Sequence, residues 1–254
     1  MILAGRTQPL AALPWEEGLV RLRELGFAGA EVCLENPDLA PALLDAALAQ
    51  RLHERLTALG FCRWSISYHK DLVDDRYYAE TVHVLEQMPL LGADVLVIGT
   101  PHRDAAWTNP WERLVARLQE LAALAGDVGV TLAEEAEPGF VVQSTGDVLR
   151  LIEDVGSPRL AANLDLGHAF LCDADPLASI AELGGRIAHV HVENMRSGVH
   201  DHRLPWDGDM DLAAYLRALR AAGFVGLAAL DLYGYDYAAV APRAIAYLRN
   251  LLQE

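Results

Sequence analysis

The amino-acid sequence predicts a single (β/α)8 TIM barrel, with residues 1–254 forming one domain. Two observations carry this reading. The chain has 254 residues, close to the ~250 that one such barrel needs. Along it, one unit recurs: a helical stretch, then a glycine, then a short apolar run rich in β-branched residues. Glycine suits the end of a helix, where the chain must turn with positive φ into the next strand.

The elements follow in order. Ile2-Leu3-Ala4 opens the chain as a first strand. Leu25-Gly26-Phe27 leads into Ala30-Glu31-Val32, and Leu59-Gly60-Phe61 leads into Trp64-Ser65-Ile66. Leu91-Gly92-Ala93 precedes Val95-Leu96-Val97-Ile98, and Val128-Gly129 precedes Val130-Thr131-Leu132. Gly156-Ser157-Pro158 introduces Leu160-Ala161-Ala162-Asn163, and Gly184-Gly185 introduces Ile187-Ala188-His189-Val190. Ala222-Gly223-Phe224 leads into Leu227-Ala228-Ala229-Leu230 as the eighth strand. Between strands, leucines recur at helical spacing, as at Leu114, Leu118, Leu121 and Leu124. Strands alternating with helices imply a parallel sheet, and eight units in this length imply closure. An open doubly wound sheet is the rival, but no GxGxxG follows the first strand.

Side chains alternate along a strand, so parity assigns those that face the barrel axis. With Val130 and Leu132 outward on the fifth strand, Glu135 points in. The same rule turns Asn163 and Asp165 inward on the sixth, His189 and His191 on the seventh, and Asp231 on the eighth. Glu135, Asp165, His191 and Asp231 therefore meet at the C-terminal end of the barrel, where such folds place their chemistry. Taken singly, an acidic residue ending a strand is an ordinary helix cap or salt-bridge partner. Three together in a buried mouth require a cation. Oxygen ligands with one imidazole suit a divalent ion: manganese, magnesium, cobalt or zinc. His189 is expected to support the site rather than ligate, and Glu134, on the opposite parity, to pair with an arginine. His168 follows Asp165 closely enough for both to reach one site, and Arg203 could contact a substrate oxygen. Asp209 or Asp211 caps the helix that begins near Leu212. Trp107 and Trp206, beside expected loops, are candidates for pocket walls.

Composition narrows the classes. A net charge of −16 opposes binding to nucleic acid, which depends on phosphate neutralisation. No apolar run approaches the ~20 residues of a membrane span, and the first residues lack a signal-peptide pattern. Cys33, Cys62 and Cys172 form no CxxC and read as thiols. The expectation is a soluble cytoplasmic protein without membrane or nucleic-acid partners, with homo-oligomerisation left open. Lys70 is the only lysine, which removes most candidates for Schiff-base chemistry.

Three motifs resemble those of the xylose isomerase-like barrel superfamily, which includes sugar and sugar-phosphate isomerases and epimerases, inosose dehydratases and endonuclease IV-type enzymes. Leu164-Asp165-Leu166-Gly167-His168 resembles "LDxGH", and His189-Val190-His191-Val192-Glu193-Asn194 resembles "HxHxxD". The segment from His202 to Asp211, with Leu204, Pro205, Trp206, Asp207 and Gly208, resembles "HxxPGxGxID". The resemblance implies Glu135, Asp165, His191 and Asp231 as metal ligands. It further implies that Glu135 and Asp231 exchange protons with the substrate, that His168 and Arg203 hold substrate oxygens and that His69 lies near the site; His202 and His102 are further candidates for substrate contact. The chain departs from the pattern at Asp231 (normally Glu), Ala136 (normally Asn) and Asn194 (normally Asp), and carries Gly99 where nuclease members have a histidine.

The function so implied is a divalent-metal-dependent isomerase or epimerase acting on a small sugar or related polyhydroxy carbonyl compound, by proton abstraction α to the carbonyl. A metal-dependent lyase of inosose dehydratase type is the alternative. A phosphodiesterase of endonuclease IV type is opposed by the net charge and by Gly99, and a non-catalytic binding barrel stays open through Asp231.

Overall fold

The structure is a computed structural model and describes residues 1–253. Its strands are β1 (Ile2–Arg6), β2 (Gly29–Cys33), β3 (Arg63–Asp71), β4 (Val95–Gly99), β5 (Thr131–Glu135), β6 (Leu160–Asp165), β7 (Ile187–Val192), the short pair β8 (Asn194–Arg196) and β9 (Val199–Arg203), and β10 (Leu227–Leu230). Its helices are α1 (Trp15–Glu24), α2 (Ala46–Ala58), α3 (Asp75–Leu91), α4 (Pro110–Val128), α5 (Thr145–Val155), α6 (Leu166–Cys172), α7 (Pro176–Leu183), α8 (Leu212–Ala221) and α9 (Tyr237–Leu251). Eight strands close in the order β1-β10-β7-β6-β5-β4-β3-β2. Neighbours run parallel throughout, with β10 joining β1 to β7. All eight barrel strands lie where the sequence places them. Gly92 and Gly129 end α3 and α4 in the left-handed region, at φ 66° and 77°, which a side chain would strain.

The main core lies between the sheet and the helices, and includes Leu19, Leu52, Leu85, Leu118, Leu151 and Leu216. Two small clusters fill the barrel itself: Ile2, Ala4, Leu227 and Ala229 in one, and Val95, Val97, Ala133 and Ala188 in the other. These sit toward the strand starts. Continuing by twos, β1 reaches Arg6, β5 reaches Glu135 and the line of β10 reaches Asp231. The interior is thus apolar at one end and ionic at the other, because these three strands change character at their last inward position.

Two features were not legible in the sequence. The link after β7 carries the antiparallel hairpin β8–β9, which stands at the mouth. The link after β6 holds two helices, α6 and α7. Among the described residues, no helix is long and apolar enough to cross a membrane.

Candidate metal centre

Glu135, Asp165, His191 and Asp231 are brought together, each no more than 6% exposed. Nδ1 of His191 is 3.3 Å from Glu135 Oε2, 3.8 Å from Asp165 Oδ2 and 3.7 Å from Asp231 Oδ2. One imidazole nitrogen therefore faces three carboxylates drawn from three other strand ends.

The opposite ring edge explains that orientation. His191 Nε2 lies 2.9 Å from Glu31 Oε2, and an ionised carboxylate can only accept. Nε2 therefore holds a proton, which makes Nδ1 the ring nitrogen that turns to the mouth. Glu31 is itself tied by Arg6 Nε at 2.9 Å. Burial alone would raise Glu31, but Arg6 and His191 outweigh it and hold its carboxyl well below the usual range. Arg6 also donates to Asp231 Oδ1 and, at 2.9 Å, to the Tyr233 hydroxyl. Asp231 therefore divides its oxygens: Oδ1 meets Arg6 and Oδ2 meets the mouth. Asn163 Nδ2 donates to Glu135 Oε2 at 2.8 Å, and Asn163 Oδ1 lies 2.9 Å from His189 Nδ1. His189 meets Ser65 Oγ at 3.0 Å on its other side, so it supports the site from below. Burial lowers His189 to about 3, and it stays neutral.

The donor set fits a divalent ion. Asp165 Oδ2 and Glu193 Oε2 are buried without a hydrogen-bond partner among the described residues, a costly state for carboxylates. Burial and the Glu135 charge push Asp165 up to about 6. Burial and the charges of Asp165 and Asp231 raise Glu193 well above its ordinary value. Burial would raise Glu135 too, but His191 and His69 hold it well below the carboxylate range. Burial would lower His191, yet Glu135 and Glu31 raise it well above the usual imidazole value. Five carboxylates face Arg6 and His191 here, so the mouth is short of positive charge. An ion held on Glu135, Asp165, His191 and Asp231 would supply it and displace the Nδ1 proton.

The ligands open onto a cavity of about 210 Å³ lined by Arg6, His69, Lys70, Glu137, His168, His202 and Tyr233, among others. Of the residues expected near substrate, His69, His168 and His202 line it. Arg203 lies on the adjoining groove beside His200 and Tyr235, within 3.7 Å of Asp201 and 3.5 Å of Asp207. His102 packs on Phe140 with ring centroids 5.1 Å apart. Trp107 donates to Asp71 at 2.7 Å, and Trp206 lies under Arg243. None of these last three lines the cavity. Gly99 has a steric reason: a Cβ there would lie 2.7 Å from the His69 ring, so His69 occupies the space a fourth-strand side chain would need.

Asp165 is both a mouth residue and the cap of α6, accepting from the His168 amide at 2.7 Å. Asp211 caps α8 through the Ala214 amide, whereas Asp209 holds the Ser197 amide of the hairpin. Glu134 corrects an expectation. It faces the helix layer, but both oxygens lack a partner, no arginine pairs with it among the described residues, and burial beside Glu135 raises it far above the usual value. It is accordingly a neutral acid. Arg6, Glu31 and Glu193 were not singled out as site residues, although the parity rule applied to β1 and β2 selects the first two.

Comparison with known proteins agrees with this fold. Fructoselysine 3-epimerase of Shigella flexneri is 26% identical over 266 residues, covering 95% of each chain. The solved L-ribulose 3-epimerase superposes with a TM-score of 0.82 at 24% identity, over 99% of this chain and 94% of that one. The IolI protein, whose structure has a binding zinc atom, superposes at 0.81 with 19% identity, over 99% and 96%. The model of the xylose isomerase-like TIM barrel family matches residues 19–251, and to that family the chain belongs.

Proposed function

We propose that the protein is a divalent-metal-dependent isomerase or epimerase of a small sugar or related polyhydroxy carbonyl compound. The observation that carries this is the meeting of Glu135, Asp165 and Asp231 oxygens on one His191 nitrogen, 3.3–3.8 Å away. The epimerase relative that aligns over nearly its whole length supports the substrate class. When bound, the ion supplies Lewis-acid stabilisation of charge developing on a carbonyl oxygen. Glu135 takes the proton α to that carbonyl. Its Oε2 is held by Asn163, no hydrogen bond falls on Oε1 among the described residues, and its depressed pKa keeps it ionised. Asp231 approaches from the far wall and serves the opposite face of the carbon. His69, His168 and His202 border the cavity and orient hydroxyl groups, while Arg6 and Glu31 hold Asp231 and His191 in place. A cytoplasmic setting belongs to the same proposal and suits the free thiols at Cys33, Cys62 and Cys172.

The division of Asp231 between Arg6 and the mouth favours a second reading. With Oδ1 committed to Arg6 and Oδ2 to the ion, Glu135 would be left as the single proton carrier, which suffices for a lyase that expels a hydroxyl. Incubation with manganese and panels of ketoses and inososes in deuterium oxide tests both. An epimerase incorporates deuterium into recovered sugar and interconverts epimers, whereas a lyase yields a dehydrated product. Glu135→Gln is expected to lower either rate by at least about a hundredfold. Absence of exchange and of elimination across both panels would overturn the assignment.

A further inference from the structure

The last inward position of β1 holds a guanidinium that the proposed chemistry uses only indirectly. Arg6 is 4% exposed and lines the cavity together with Glu135, His168, His202 and Asp231. Its contacts fix it on two sides. Nε donates to Glu31 Oε1 at 2.9 Å, and Nη1 donates to Asp231 Oδ1 and to the Tyr233 hydroxyl. A guanidinium has five hydrogens to give, and these three bonds use those of Nε and Nη1. No hydrogen bond falls on Nη2 among the described residues, yet Nη2 is not sealed from solvent. The little surface that Arg6 keeps is on the cavity, so the two Nη2 hydrogens open there.

The topology sets what faces it. β1 and β5 are four strands apart in either direction around the closed sheet, so Arg6 and Glu135 end opposite walls. A substrate in the cavity has the proton acceptor on one side and the guanidinium on the other. The charge on Arg6 is permanent. Burial opposes it, but Asp231 and Glu31 outweigh burial and raise the group well above its ordinary value. Lys70, the other such cation on the cavity wall, is a flexible point charge that leans toward the Tyr77 ring, 6.0 Å from its centroid.

Holding Asp231 and Glu31 in place requires Nε and Nη1 alone. It does not require a second nitrogen turned to the cavity. An unpaired donor held rigid in a buried mouth is instead suited to stabilise an oxyanion, because it needs no reorganisation as charge develops.

We propose that Arg6 is a catalytic residue, donating from Nη2 to the substrate oxygen that gains negative charge as Glu135 removes the α proton. The C–H electron pair becomes a C=C bond, the carbonyl π pair passes to oxygen, and Glu135 gains the proton. Arg6 keeps all of its own protons throughout. This role rests on the α-proton removal of the proposed function, which its epimerase and lyase readings share.

Arg6→Lys tests it, since an ammonium can still hold Asp231 or Glu31 but has no second nitrogen for the substrate. Manganese-loaded wild type and variant are compared for solvent deuterium exchange with the ketose panel and for manganese affinity. Both are also titrated with a four-carbon polyhydroxy hydroxamate, whose planar anion mimics the enediolate. In the variant, kcat for exchange is expected to fall at least about 100-fold, the effect of losing one oxyanion donor. Hydroxamate affinity is expected to fall by a similar factor, whereas KM and manganese affinity change by less than about fivefold. An equal loss of manganese affinity, or an unchanged hydroxamate affinity, would show that Arg6 acts only through Asp231 and Glu31. Should Arg6→Lys fail to fold, a wild-type crystal with the hydroxamate decides. A ligand oxygen is expected about 2.7–3.2 Å from Nη2, and none there overturns the role. A wild type that exchanges no sugar counts against the proposed function, while the hydroxamate measurements still decide whether Arg6 meets the ligand.

Discussion

At the residue scale, position within the barrel decides what each ionisable group can do. Asp165 and Glu193 share a crowded mouth and are driven toward their neutral forms, whereas Glu135 stays ionised beside two imidazoles. His189 lies deepest, wholly buried between Asn163 and Ser65, and its pKa falls to about 3 from an ordinary 6.5. Folding therefore favours its neutral form. Its contribution is complete above pH 6.5, where the folded and unfolded chains both leave it uncharged. As pH falls from 6.5 toward 3 the unfolded chain gains a proton that the folded chain refuses, and stability drops by about 1.4 kcal/mol per unit. His189→Gln, which keeps a polar side chain beside Asn163, should remove that slope. Chemical denaturation of both proteins at pH 7 and pH 5 measures it; equal pH dependence would show that His189 is not held neutral. Parity found Glu135, Asp165, His189, His191 and Asp231 on the last four barrel strands because alternation survives in sequence. The same rule holds for Ile2, Ala4 and Arg6 on β1, but a single arginine ending a first strand carries no sign of its acidic partners. Only barrel closure, which seats β1 against β10, joins Arg6 to Asp231.

At the element scale, the hairpin β8–β9 matters most to the mouth and was least legible. Its strands are short, it sits inside what reads as one long loop, and its register depends on contacts across the chain. Asn194 provides much of the fixing. Its amide donates to the carbonyls of Pro205 and Met210 at 3.1 and 3.3 Å, and its oxygen accepts from the amides of Met195 and Met210. An aspartate could make the second pair but would turn an oxygen toward two carbonyls. The departure at this position is thus explained by the path of the following loop, where Gly208 passes so close to Asn194 that a Cβ would collide with it. Asn194→Asp is expected to destabilise the protein by about 1–3 kcal/mol, the cost of unmet buried polar groups. Denaturation midpoints of the two proteins check this; an unchanged midpoint would show that Asn194 does not fix the hairpin and the loop beneath it.

At the scale of the whole molecule, the mouth ligands come from strands distributed through the second half of the chain and are joined to the first half through Arg6 and Glu31. Unfolding anywhere in the closed sheet scatters them, so an ion that binds only the assembled site stabilises the entire barrel. By mass action that stabilisation is about 2.7 kcal/mol at a free-metal concentration of 100 Kd. For a domain of this size it corresponds to a rise in Tm of roughly 5–10 °C. The net charge of −16 adds a general attraction for cations, but that part is screened by salt. Site binding between buried groups is screened far less, so the two are separable. Manganese added at 0.15 M sodium chloride should raise the midpoint of a single cooperative transition, and Asp165→Asn should abolish most of the rise. If the rise disappears with added salt in the wild type, or survives unchanged in Asp165→Asn, the ion is acting on surface charge. The mouth would then be held together by Arg6, Glu31 and protonated carboxylates alone.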